Sequence, residues 1–164
     1  MKVIKNIVIN ASANKVWKTV AEDFDKAHIW MSIVHHSHAI DEGESDVNAP
    51  MKGRVCELSK KPNGLYANEI ITHYSKENKS FTFEVIPMNA PALLPIKKNI
   101  ITILVKDLGS NKSEVIWTSV PELKALGKIM SPILKVGLGK AFKDILKELK
   151  DFCETAEASL LKAA

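Results

Sequence analysis

The chain has 164 residues, 46% of them hydrophobic and 26% charged, with a formal net charge of +4. That length suits one domain over 1–164 with a sizeable core, and the composition is that of an ordinary folded protein. No apolar run approaches the length of a membrane helix and no charged-then-apolar leader opens the chain, so the expected compartment is the cytoplasm. The positive charge is nearly all lysine, mixed with acids, and Arg54 is the single arginine. Tight phosphate and base recognition favours arginine, so no nucleic-acid partner is expected. Cys56 and Cys153 lie far apart within apolar-patterned stretches and are expected as reduced, buried thiols.

Residues 2–10 alternate like a strand, with Ile7 and Ile9 on one face and Val8 on the other, and both faces are expected to be covered. Ser12 is placed to cap a helix from 14 to about 22 that carries Val16, Trp17 and Val20 at helical spacing. A second short helical piece covers 24–31 and holds Trp30. Residues 33–41 are strand-like, with His35, Ser37 and Ala39 on one face and His36, His38 and Ile40 on the other. Residues 42–50 are acidic, poor in large apolar side chains, and expected as an exposed loop.

Residues 52–60 and 65–74 read as a hairpin around Lys61-Pro62-Asn63-Gly64. That pairing brings Arg54 opposite or diagonal to Glu69. After a turn at 76–79, Phe81, Phe83 and Val85 share one face of a strand that ends at Pro87. The stretch 88–95 is proline-bounded and uncharged, and its Leu93 and Leu94 call for a partner, either the protein body or a ligand mouth. Residues 96–107 form the longest strand, with Asn99, Ile101, Ile103 and Val105 on one face. The last strand, 113–120, places Val115, Trp117 and Ser119 together.

A helical region follows Pro121. Its apolar positions from Leu126 through Met130, Ile133 and Gly137 centre on one angle, and those from Leu138 onward centre roughly 130° away. Pro132, Gly137 and Gly139 lie near the shift, so a kink or break is expected within 132–139, with the two halves facing different things. Residues 138–160 form an amphipathic helix of about 30 Å. One long helix after a run of strands implies a sheet that wraps it.

This order of strand, two helices, six strands and long helix resembles the helix-grip fold of the SRPBCC, or START-like and birch-pollen-allergen-like, superfamily. Ile7-Val8-Ile9-Asn10-Ala11 followed by Val16-Trp17, Trp30 ahead of Val34-His35-His36-Ser37, Gly53-Arg54-Val55-Cys56, Glu69-Ile70 and the run from Gly139 to Glu154 look like pieces of its bacterial polyketide cyclase/dehydrase-like members. The resemblance implies an α+β fold: a curved seven-stranded antiparallel sheet around the C-terminal helix, two short helices after strand 1, and an apolar cavity between sheet and helix. It places His35, Arg54 and Glu69 where abscisic-acid receptors carry polar, cavity-facing groups. The receptors' Ser-Gly-Leu-Pro-Ala gate and their lysine at the His35 position are absent, so hormone binding is not implied.

The expected function is binding of a hydrophobic small molecule in that cavity. Its walls would be Trp30, Phe81, Phe83, Ile101, Ile103, Trp117, Met130 and Leu134, with His35, Arg54, Glu69 and Asn99 as the polar groups. The mouth would lie near 64–67 and 88–95. The rival reading is a cyclase/dehydratase-type enzyme using the same cavity, with His35 as a candidate base. A co-chaperone-like partner-binding role ranks third. His36 and His38 share a face, but their spacing matches no zinc signature, and no phosphate or dinucleotide fingerprint occurs, so no metal or cofactor is expected. Ligand identity and oligomeric state are not written in the sequence.

Overall fold

The computed structural model describes residues 1–40 and 47–163, apart from the side chains of 156–163. Its elements are β1 (Val3–Ile9), α1 (Ala13–Trp17), a π turn (Lys18–Glu22), a 3₁₀ helix (Phe24–Ile29), β2 (His36–Ala39), β3 (Gly53–Glu57), β4 (Tyr66–Ser75), β5 (Ser80–Met88), β6 (Ile96–Gly109), β7 (Lys112–Leu123), α2 (Ala125–Ile129) and α3 (Ser131–Ala163). The strands form one antiparallel sheet in the order β1-β7-β6-β5-β4-β3-β2. This is the expected α+β, helix-grip arrangement: the sheet curves around the long C-terminal helix, with short helices after its first strand.

Strand parity does most of the sorting. Phe81 and Phe83 on β5, Ile101, Ile103 and Val105 on β6, and Val115 and Trp117 on β7 are all buried on the concave face. Val3 and Ile9 of β1 join them, but Ile4 and Val8 on the other parity are exposed. The outer face of β1 is therefore open, where the sequence led to the expectation that it would be covered. Ser12 caps α1 by accepting from the Lys15 N–H at 3.3 Å, and α1 with the following turn buries Val16, Trp17, Val20 and Ala21.

β2 is shorter than the stretch 33–41, because the chain enters the sheet only at His36. The acidic part of the 42–50 loop falls outside the described residues, but Val47 and Ala49 pack in part against the core. α3 runs along β1. Phe142, Leu146, Leu149 and Cys153 are buried from it, and Glu154 accepts from the Asn10 backbone N–H at 2.7 Å.

The break in the helical region lies at Met130, between α2 and α3, ahead of Gly137. Pro132 explains the position. It has no N–H to bond back into α2, and it is well tolerated in the first turn of α3. Gly127 in α2 permits close packing, since a Cβ there would lie 2.4 Å from the Pro95 carbonyl oxygen.

Candidate functional site

Across the concave face, residues in register form transverse rows. One row runs Arg54, Glu69, Val85, Asn99, Pro121. The next runs Ile71, Phe83, Ile101, Ser119, Val3, and the one after it Tyr74, Phe81, Ile103, Trp117, Lys5. The first row is polar and lies toward the loops 58–65 and 89–95 and the start of α2. The others are aromatic and aliphatic and lie under α1, the 3₁₀ helix and α3.

Arg54 and Glu69 face each other directly, as the hairpin register requires. Gly53 makes that possible, because any Cβ there would meet the Glu69 carbonyl oxygen at 2.1 Å. Arg54 Nε and Nη2 both donate to Glu69 Oε2, at 2.7 and 2.6 Å. Its Nη1 donates to the Phe24 carbonyl at 2.7 Å, and its guanidinium lies 3.9 Å from the Phe24 ring centroid. Arg54 is 3% exposed and Glu69 8%. Burial of such a pair is tolerated because every arginine group engaged here is matched by an acceptor or a ring face. Arg54 is therefore a clamp that ties the 3₁₀ helix to β3 and β4.

Two polar groups in the row remain available. Both arginine bonds fall on Oε2, so Glu69 Oε1 has no bond among the described residues. Ser119 donates to Asn99 Oδ1 at 2.8 Å, which leaves the Asn99 amide N–H donors unmatched among those residues. An acceptor at Glu69 and a donor at Asn99 thus flank Val85, about 10 Å apart along two strand spacings. Cys56 shares Arg54's face, and burial pushes its thiol up to about 12, with the nearby Arg54 charge only partly opposing the shift. It is a neutral, unreactive thiol.

The remaining predicted residues divide. Phe81, Phe83, Ile101 and Ile103 are at most 2% exposed. They touch other side chains, where open space along a cavity wall was expected. Trp17 packs on Phe81 with centroids 5.7 Å apart, and Phe24 packs on Phe83 at 5.0 Å. The short helices fill the volume that strand alternation leaves above these residues. Trp117 packs at a tilt on Phe142, with centroids 5.7 Å apart, and its enclosed indole N–H has no partner among the described residues.

Met130 and Leu134 are half-buried at the helix break. Trp30 lies elsewhere, in a hollow of about 60 Å³ with Ile29 and Phe152. His35 is exposed; it precedes β2 and, among the described residues, is tied to the sheet through its N–H to the Glu57 carbonyl. It does not join Arg54 and Glu69. His36 and His38 are exposed too, with rings 5.7 Å apart, and no group of three metal-ligating side chains occurs among the described residues. Two open grooves, of about 680 Å³ beside α1 and 530 Å³ beneath the 58–65 loop, lie outside the concave face.

The sequence reading missed Ser119 as Asn99's partner and Phe24 as Arg54's. The first was readable from cross-strand proximity between β6 and β7. The second comes from the helical insertion and has no local signal.

Residues 1–154 match the family described as polyketide cyclase / dehydrase and lipid transport. The chain belongs to that family. Its fold is also similar to that of a START superfamily protein from Mycobacterium smegmatis, with a TM-score of 0.75 at 13% identity over 94% of this chain and 98% of that one. The protein XoxI from Bacillus cereus gives 0.68 at 20% identity over 95% and 97%. The di-domain ARO/CYC BexL from the BE-7585A biosynthetic pathway gives 0.72 at 9% identity, over 92% of this chain and 45% of that one. No curated protein matches the chain in sequence. Family and fold together support a ligand-binding architecture. No helix among the described residues is long and apolar enough to cross a membrane.

Proposed function

We propose that this protein binds a hydrophobic small molecule, of the lipid or polyketide type its family's description names, at the polar end of the concave face. The observation that carries the reading is the Glu69–Val85–Asn99 row. It offers one acceptor and one donor without partners among the described residues, on Glu69 and Asn99, each 8% exposed, on either side of the half-buried Val85. A molecule with a hydroxyl toward Glu69, a carbonyl toward Asn99 and an apolar body between would satisfy all three, as ligand sites of this mostly apolar kind do. Met130 and Leu134, half-buried at the start of α3, would cover it. His35, the candidate base of the rival cyclase reading, is exposed and does not reach the row, which favours binding over that reaction.

The test is native mass spectrometry and solvent extraction of freshly purified protein, followed by the same on the Asn99→Leu/Ser119→Ala variant. The double change removes both ends of one hydrogen bond, so stability should stay close to that of the parent. A small molecule should leave with the parent and be lost from the variant. Equal retention by both, or nothing extractable from the parent, would refute the reading.

A further inference from the structure

The start of the C-terminal helical region carries a face that the fold does not use. Leu126, Ile129, Ile133 and Val136 are 45%, 81%, 70% and 74% exposed. The helical path continues across the break, since Met130 N–H donates to Leu126 and Leu134 N–H to Met130, at 3.1 and 3.0 Å. At about 100° per residue, the four side chains fall within roughly 80° of arc. Leu93, 79% exposed, stands in the loop that is joined to α2 through the Lys124 N–H to Pro95 carbonyl bond. Five large apolar side chains therefore project from one end of the molecule.

Along the same stretch of chain the charge is of one sign. From Leu123 through Lys143 the sequence contains Lys124, Lys128, Lys135, Lys140 and Lys143 and no Asp or Glu. All five lysines are exposed, and none takes an ion pair among the described residues. Farther along α3 the pattern is ordinary, with Lys147 paired to Asp151 and Lys150 to Glu154. At about 100° per residue, Lys140 and Lys143 fall within roughly 60° of the stripe's centre, and Lys124, Lys128 and Lys135 point away from it.

We infer that this face docks on an anionic lipid surface, lying in the headgroup layer without crossing the bilayer. Exposed isoleucines on a helix face suit the headgroup–acyl boundary, and Lys140 and Lys143 on the same side suit anionic headgroups. Nucleic acid would match the lysines but give the isoleucines nothing to bury. A second copy meeting the same face would bring like charge, Lys140 and Lys143, onto like charge, which opposes self-association. Docking of this kind needs no ligand in the interior, so it stands apart from the binding function proposed above.

The experiment is co-sedimentation of the full chain with vesicles of phosphatidylcholine alone and of equimolar phosphatidylcholine and phosphatidylserine. The protein should pellet with the phosphatidylserine vesicles and release as salt rises. The Ile129→Ser/Ile133→Ser variant, changed only at exposed positions, should bind at least about tenfold more weakly. Lys140→Glu/Lys143→Glu, changed at exposed positions on the stripe's side of the helix, should weaken binding comparably on the anionic vesicles alone. No pelleting with phosphatidylserine, equal pelleting of the Ser variant, or a dimer in solution that the Ser variant abolishes would each overturn the assignment. So would binding to an acidic protein partner with no binding to vesicles.

Discussion

At one end of the concave face, Trp17 and Phe24 from the helical insertion press onto Phe81 and Phe83, and Trp117 meets Phe142 of α3. At the other end, the inward positions are Arg54, Glu69 and Asn99, and the side chains of α2 and early α3 above them are half-buried or exposed. Both ends are made by the same strands at the same parity. What differs is the cover. The insertion between β1 and β2 spends its aromatic residues on the first end, and only its Phe24 carbonyl and ring reach the second, through Arg54. A helix-grip sheet can thus be solid core for part of its length and gather its buried charged pair in a single row.

The contrast can be broken most severely at the aromatic end. Phe81→Ala leaves a void among rings that have no way to collapse, and should cost about 3–5 kcal/mol, read as a lower urea midpoint at unchanged slope. A loss below 1 kcal/mol would mean that this end is not solidly packed.

At the polar end the pattern should be one of compensation. Arg54→Met strands the buried Glu69 carboxylate and should cost about 3–5 kcal/mol. Adding Glu69→Leu should recover most of that loss, less the Phe24 carbonyl left unmet, at about 1–3 kcal/mol. If the double variant is as unstable as the single, the clamp onto Phe24 matters more than the ion pair.

The smallest expected effect lies far from both ends. Burial raises the Glu154 carboxyl, but hydrogen bonds from Lys150 and Asn10 outweigh it and hold the group below the usual carboxylate range. A carboxyl lowered in the folded state contributes its stability above the ordinary range and loses it as pH falls through the lowered value. Glu154→Gln should therefore cost no more than about 1 kcal/mol at neutral pH, with the gap to the parent closing below roughly pH 4. A gap that widens in acid would contradict the sign.

Much of the fold was legible because β5, β6 and β7 alternate cleanly and the C-terminal apolar stripe holds from Leu138 to Cys153. The Arg54–Glu69 pairing was legible too, since a hairpin turn fixes its own register. His35 was misplaced because a run of His and Ser carries no apolar alternation to mark where a strand begins. Phe81, Phe83, Ile101 and Ile103 were correctly placed inward, but alternation gives a face and says nothing of what fills the space opposite it. The helix break was set too late for a related reason. The angular shift between the two apolar stripes was real, but the first stripe faces solvent, so its end at Gly137 marks a change of surroundings and Pro132 marks the break in backbone.

The pairing of β1 with β7 also governs how the molecule is made. Asn6 bonds Glu114 at a separation of 108 residues, and Asn10 bonds Glu154 at 144. β1 can find its neighbours only after β7 and then α3 have left the ribosome. Until then Ile7 and Ile9 have nothing to lie against. Loop closure over such distances is slow, and the waiting strand is exposed to other chains. Synthesis in the cell should therefore be the stage at which this protein most needs a chaperone, whatever its stability once complete.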